Sequence, residues 1–312
     1  MLTGKIRILN LDDSVARQPD LVRRFAPAVI DLRAWGPRLR LWSNDRDAAL
    51  LRAVLSPESR GDATFLGSGD FHHLSSVLLE QFLEPLTVIV FDHHPDWDIF
   101  PPAMGCGSWV TRILKMPNVQ KVILLGIASE DISEFSIQAG NLSALDNNRL
   151  EIYPYARAST MTLFKKVPLD NPCIRVERGI CGAKIYWREL ARFNASEIVQ
   201  LLRERILTDK IYISIDKDCL PGDCSLTNWE TGRFPLADLL FLLRTFRKNY
   251  DILGLDITGD YSPPLTRGLF KTLVSRFDHP REFSAAGHSI AAIQKINQAL
   301  NLKILETLTA AV

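Results

Sequence analysis

TVIVFDHHPDWD, residues 87–98, sets an apolar, β-branched run directly against a segment in which five of seven side chains are Asp or His. A run such as Thr87–Phe91 reads as a buried strand of a parallel sheet, because both of its faces are apolar. Four further runs share that character: Lys5–Leu9, Lys121–Ile127, Lys210–Ile215 and Ile252–Ile257. Between them, Ser75–Phe82, Ala195–Leu207 and Leu236–Asn249 repeat apolar residues at helical spacing, which predicts helices with one buried face. Strands alternating with helices predict an α/β fold, a mainly parallel central sheet with helices on both faces. No repeat, low-complexity tract or linker interrupts the pattern, so residues 1–312 read as one domain.

In open parallel sheets, ligands gather at the carboxyl ends of the strands. The residues found there share one kind of chemistry. Asp92-His93-His94-Pro95-Asp96 follows the Thr87 strand, Asp216-Lys217-Asp218 the Lys210 strand, and Thr258-Gly259-Asp260 the Ile252 strand. Gly67-Ser68-Gly69-Asp70-Phe71-His72-His73 leads into the Ser75 helix. If the Thr87 strand runs a residue or two past Phe91, Asp92, His94 and Asp96 share a face or line the turn just beyond. Carboxylates with an imidazole at that spacing suit a hard-to-borderline divalent ion such as Mn²⁺. Asp216 and Asp218 repeat the spacing at another strand end. Held together bare, such carboxylates repel one another; a pair of cations removes the repulsion. The simpler reading, a solvated acidic turn, does not explain so many ligand-type side chains placed directly after an apolar strand.

Composition narrows the alternatives. With 37 basic and 36 acidic residues the formal net charge is +1, which gives no electrostatic reason to expect nucleic acid or an anionic membrane as partner. Apolar residues make up 46% and charged residues 23%, ordinary for a globular protein. The opening MLTGKIRILNLDDS lacks the apolar stretch of a signal peptide, and no apolar run nears the roughly 18 residues of a membrane span. Five cysteines with no CxxC pair read as free thiols in a reducing cytoplasm.

The four segments resemble those of the ureohydrolases, the arginase and agmatinase family of the arginase–deacetylase superfamily. That family carries a GGDH, a DAHxD and an SxDxD segment in this order. Here they read Gly69-Asp70-Phe71-His72, Asp92-His93-His94-Pro95-Asp96 and Ser214-Ile215-Asp216-Lys217-Asp218, while Gly254-Leu255-Asp256-Ile257 with Asp260 and Pro263 is similar to a late LDIxExNP strand. The resemblance spans residues 67–264 and implies an arginase-like three-layer αβα fold with two Mn²⁺ ions. It implies that His72, Asp92, Asp96 and Asp216 bind one or both ions, and that His94 and Asp218 complete the pair. Phe71 intervenes where the family's histidine follows its aspartate, so His73 remains an alternative to His72. A two-metal site can ionise a bridging water at neutral pH, and that nucleophile would attack a guanidinium carbon and leave urea. Asp96 is the expected proton shuttle. Glu230 is the expected carboxylate for the planar N–H fork of the substrate, with Asp238 a weaker choice.

Where arginases acting on the free amino acid carry a Ser- and Asn-bearing loop and a histidine, this chain reads Pro101-Pro102-Ala103-Met104-Gly105-Cys106-Gly107-Ser108-Trp109. The substrate class therefore stays open among arginine, an agmatine-like compound and an arginine-containing peptide. The stretch more closely resembles a divergent bacterial branch of the superfamily, whose members include enzymes that convert arginine side chains within a peptide to ornithine. Arginase relatives are commonly trimers or hexamers, so a homo-oligomer is compatible with the resemblance. Cys106 reads as a buried thiol, His279 and His288 as turn or cap residues, Asp260 as a residue orienting a ligand, and the cluster Arg33, Arg38, Arg40 and Arg46 as a solvated face. Two alternatives stand beside ureohydrolysis: a metal-dependent amidohydrolase or deacetylase, and a metal-bound but inactive binding protein.

Overall fold

The computed structural model describes residues 5–55, 61–102, 104–163, 168–279 and 289–310. The apolar runs become strands of an eight-stranded sheet: β1 (Ile6–Asn10), β2 (Ala28–Asp31), β3 (Asp62–Gly67), β4 (Leu86–Phe91), β5 (Val119–Ile127), β6 (Leu150–Pro154), β10 (Lys210–Asp216) and β11 (Asp251–Thr258). The order across the sheet is β2-β1-β3-β11-β10-β4-β5-β6, and every pairing is parallel. β3 and β4 are buried along their whole length, as strands covered by helices on both faces must be. The Leu236–Asn249 helix has the predicted bounds, whereas the helix expected over Ser75–Phe82 ends at Leu79 and that over Ala195–Leu207 at Arg203. Asn194 accepts from the Ser196 and Glu197 amides and so caps the start of the Ala195 helix.

Two groups of helices cover the sheet. Pro19–Phe25, Ala195–Arg203, Leu236–Asn249 and Ile290–Thr309 pack on one another, as do Asp45–Val54, Ser75–Leu79 and Trp109–Ile113. A second, antiparallel sheet of β7 (Ser159–Leu163), β9 (Gly182–Trp187) and β8 (Ile174–Arg178) was not expected from the sequence. All five cysteines are unpaired, and among the described residues no helix is long and apolar enough to cross a membrane.

Four central strands, β3-β11-β10-β4, run side by side and in one direction. Their carboxyl ends therefore lie along one edge. The register places Ile215 beside Phe91 and Asp216 beside Thr258, so whatever follows each strand meets the others there.

Candidate metal centre

Asp92 leaves β4 at once, and the chain then turns rather than continuing as strand: Asp96 takes a left-handed backbone with φ +48°. That conformation is uncommon for a non-glycine residue and re-aims its carboxylate toward the sheet edge. Asp216 is the last residue of β10 and caps the short turn behind it, accepting from the Asp218 amide at 3.1 Å. His72 sits on the 3₁₀ turn Gly69–Leu74 that follows β3. Its Nδ1 lies 3.1 Å from Asp92 Oδ2, 3.4 Å from Asp96 Oδ2 and 3.6 Å from Asp216 Oδ2. His94 Nδ1 lies 3.0 Å from Asp218 Oδ2, so the ends of β4 and β10 meet directly.

These side chains are buried, His94 only partly, and the electrostatics follow from that. Burial and then the neighbouring Asp96 push Asp92 up to about 7; burial pushes Asp96 up to about 6. Asp216 and Asp218 are raised too, by burial and then by a neighbouring carboxylate, Asp218 for the first and Asp92 for the second. Burial works against a charge on His72 and His94, yet Asp92 and Asp96 around the first, and Asp218 and Glu230 around the second, hold both imidazoles well above their usual value. Apart from the His72 contact at 3.1 Å, which is poorly aligned, Asp92 Oδ2 is buried without a hydrogen-bond partner. Carboxylates that resist ionisation, together with an orphaned oxygen among them, fit a place for positive charge. Three groups of ligand atoms lie within 4.8 Å of one another: His72, Asp92 and Asp96; Asp92, His94 and Asp218; and His93, His94 and Glu230. Asp92 belongs to the first two, so the donor set suits two cations sharing a carboxylate.

The fold has solved counterparts. The arginase of Entamoeba histolytica, crystallised with L-ornithine, superposes with a TM-score of 0.58 over 99% of this chain and 98% of its own, at 11% identity. A hypothetical agmatinase of Burkholderia thailandensis superposes at 0.51 over 98% and 87%, at 14% identity. The chain has the arginase-like α/β fold. By sequence it is 28% identical over 202 residues to an uncharacterized protein of Thermotoga maritima, a match covering 64% of this chain and spanning 58% of that protein's length. No family model matches the chain.

The supports of this candidate centre are spread more widely than its six predicted ligands. Ser214 bonds His72 Nε2 at 2.8 Å and donates to Asp256 Oδ1 at 2.7 Å, and Tyr212 donates to the other Asp256 oxygen at 2.6 Å. Strand alternation from Asp216 back to Ser214 carried that signal in the sequence. Trp109 Nε1 donates to Asp96 Oδ2 at 2.6 Å, a contact no local pattern announces. Asp260 does not touch a predicted ligand: it pairs with the buried Lys217 at 2.6 Å and accepts from Gln18 and Asn301, which pins the residue between Asp216 and Asp218.

Several other expectations change. His73 faces away from the carboxylates, 3.8 Å from Cys106 Sγ, and burial first, then Lys271, lowers it to about 3. Cys106 is only partly buried, yet burial, with Asp70 and Asp96 behind it, pushes its thiol well up, so it is no thiolate. Arg40 is not part of a solvated face; it is 2% exposed, pairs with the buried Asp70 and donates to Ser262 at 2.7 Å. Against the cost of burial, Arg40 and His279 hold Asp70 down to about 2. His279 does stand at a helix end, but its Nε2 reaches Asp70 at 2.8 Å and its ring packs on Trp229. Trp229 Nε1 donates to the same carboxylate at 3.0 Å and its indole packs on His94. His288 lies outside the described residues.

Beside the centre opens a cavity of about 620 Å³. Glu230 lines it, half-exposed, 3.2 Å from His94 Nε2; that imidazole holds it ionised, down to about 2. Asp238, the weaker choice, is absent from the lining and sits in the first turn of the Leu236 helix, where its charge suits the helix dipole. Glu130, Asp131 and Asp278 also line the cavity, as do the exposed rings of Phe100 and Phe277, and no Lys or Arg among the described residues does.

Proposed function

We propose that this protein is a binuclear, manganese-dependent ureohydrolase that releases urea from a guanidinium group, with arginine side chains in a peptide as the substrate class its cavity fits best. The observation that carries the reading is the meeting of His72, Asp92, Asp96 and Asp216 around one point, and of His94 and Asp218 beside it, at the ends of neighbouring strands. Those six side chains would hold two Mn²⁺ ions, which supply an ionised water as nucleophile at neutral pH.

The protein's own groups do the rest. Glu230, ionised and at the cavity wall, takes the N–H fork of the guanidinium and sets its trigonal carbon beside the centre. Trp109 occupies Asp96 Oδ2, which leaves Oδ1 to receive the proton of the attacking water and return it to the departing nitrogen. A free amino acid would bring an α-carboxylate into a cavity lined by Asp and Glu and by no described Lys or Arg. A peptide lacks that charge at the arginine, and Phe100 and Phe277 at the wall offer it apolar contact.

The test is urea release from arginine, agmatine and an arginine-containing peptide by the Mn²⁺-loaded protein, with peptide mass followed in parallel. Urea should come fastest from the peptide, with ornithine left in its chain. Silence on all three guanidino compounds sinks the proposal.

A further inference from the structure

Two of the three ligand groups form the paired centre. The third, His93, His94 and Glu230, is left over, and His93 has no part in the chemistry just described. The resemblance in sequence makes position 93 an alanine in the DAHxD segment, so a two-metal centre does not need an imidazole there. This chain nevertheless puts one at the cavity wall. The backbone around it is pinned: its amide donates to Asp218 Oδ1 at 3.1 Å, and its carbonyl accepts from the amides of Ala128 and Ser129. The ring is 7% exposed, packs edge-on against His94 with centroids 4.8 Å apart, and its Nδ1 is buried without a hydrogen bond. Such an orphaned nitrogen in a wall of polar groups wants a partner.

His94 supplies the geometry. Its Nδ1 is turned to Asp218 and the paired centre, while Nε2 points the other way, to Glu230. Glu230 is 54% exposed, lies 3.2 Å from His94 Nε2 and has a ligand atom within 4.8 Å of those of both imidazoles. Two imidazoles and a carboxylate with one face open to the cavity make a donor set that borderline ions take more readily than hard ones. We infer that His93, His94 Nε2 and Glu230 form a third, weaker divalent-cation site at the cavity wall, selective for Zn²⁺, in which His94 gives up its Nε2 proton to solvent and bridges to the paired centre as an imidazolate, and that its occupant excludes the substrate. The exclusion follows because cation and guanidinium compete for one carboxylate; that clause alone rests on the ureohydrolase reading.

The site is tested on the full-length protein, stripped of metal by chelation and titrated with Zn²⁺ by calorimetry. The wild type should take up two equivalents tightly and a third more weakly. His93→Ala, which restores the residue of the family segment, should lose the third class and keep the first two, and Glu230→Gln should do the same. In the Mn²⁺-loaded enzyme, added Zn²⁺ should raise KM at constant kcat, and His93→Ala should remove that effect while its zinc-free activity stays unchanged. Saturation of the wild type at two equivalents overturns the third site and leaves ureohydrolysis standing. A third equivalent retained in His93→Ala overturns it equally. No uptake at all removes both proposals.

Discussion

Glu230 and Asp96 show how two carboxylates in one cavity are set for different work. Glu230 is half-exposed and pairs with His94 Nε2, so it stays ionised far below neutrality; Asp96 is buried among acids and is pushed up to about 6. Environments that pull such groups apart are how a site assigns an anion to binding and a proton carrier to chemistry. Glu230→Ala should therefore weaken guanidinium binding and spare the paired centre. A charge-assisted bond with solvent at one side is worth about 1–2 kcal/mol, so KM should rise about tenfold. Elemental analysis of the same variant should still find two manganese ions. An unchanged KM would remove Glu230 from the substrate site.

At the scale of elements, each strand end needs a particular backbone. Gly259, directly after β11, has φ +88°, and a Cβ there would stand 2.5 Å from Asp216 Oδ1 and 2.8 Å from the Lys217 amide. Gly259→Ala should cost more than about 1 kcal/mol in backbone strain. Its larger effect should be on metal affinity, because the methyl group displaces the carboxylate that β10 presents. Manganese titration against the wild type measures it, and equal affinity would show that Asp216 does not need that space. Much of this edge was legible beforehand. β4, β5, β10 and β11 are long apolar runs, and an Asp follows β4 directly and another closes β10, so strand and ligand announce each other. β2 is four residues long and mostly exposed, β7 buries Thr160 and Thr162 while Met161 and Leu163 are exposed, and β8 is mostly exposed, so neither sheet edge nor small sheet leaves a clear apolar trace. The Ile290–Thr309 helix hides for a different reason. Its buried face carries Asn297 and Asn301, which bond Leu226 and the Gln18–Asp260 pair, and these polar residues blur the apolar stripe. Arg40, Trp229 and His279 meet on Asp70 from 30, 159 and 209 residues away, and a one-dimensional pattern carries no sign of such contacts.

For the whole molecule, the cluster of raised carboxylates makes stability depend on protons and on metal together. Without metal, Asp92 titrates near 7 in the folded chain against 3.8 as its ordinary value, and Asp96 near 6. Between about pH 4 and 7 the folded form thus holds protons that the unfolded form has released, and stability falls as pH rises. His72 and His94 act in the same sense: held well above 6.5, they contribute stability that is complete below that value and is lost as pH climbs through their folded values. Asp70 acts oppositely. Held down to about 2, it contributes stability present above 3.8 and lost as pH falls toward 2. The metal-free protein should therefore be most stable in weak acid, and its Tm should drop from about pH 6 to about pH 8. Manganese takes the place of those protons. At a hundredfold excess over Kd it adds about 2.7 kcal/mol. Because protons no longer compete, the gain in Tm at fixed metal concentration should be larger at the higher pH. Thermal unfolding at both pH values, with chelator and with Mn²⁺, reads all four quantities. A metal-free Tm that does not fall, or a manganese gain that is the same at both, would mean that the six side chains do not share their charge as one centre.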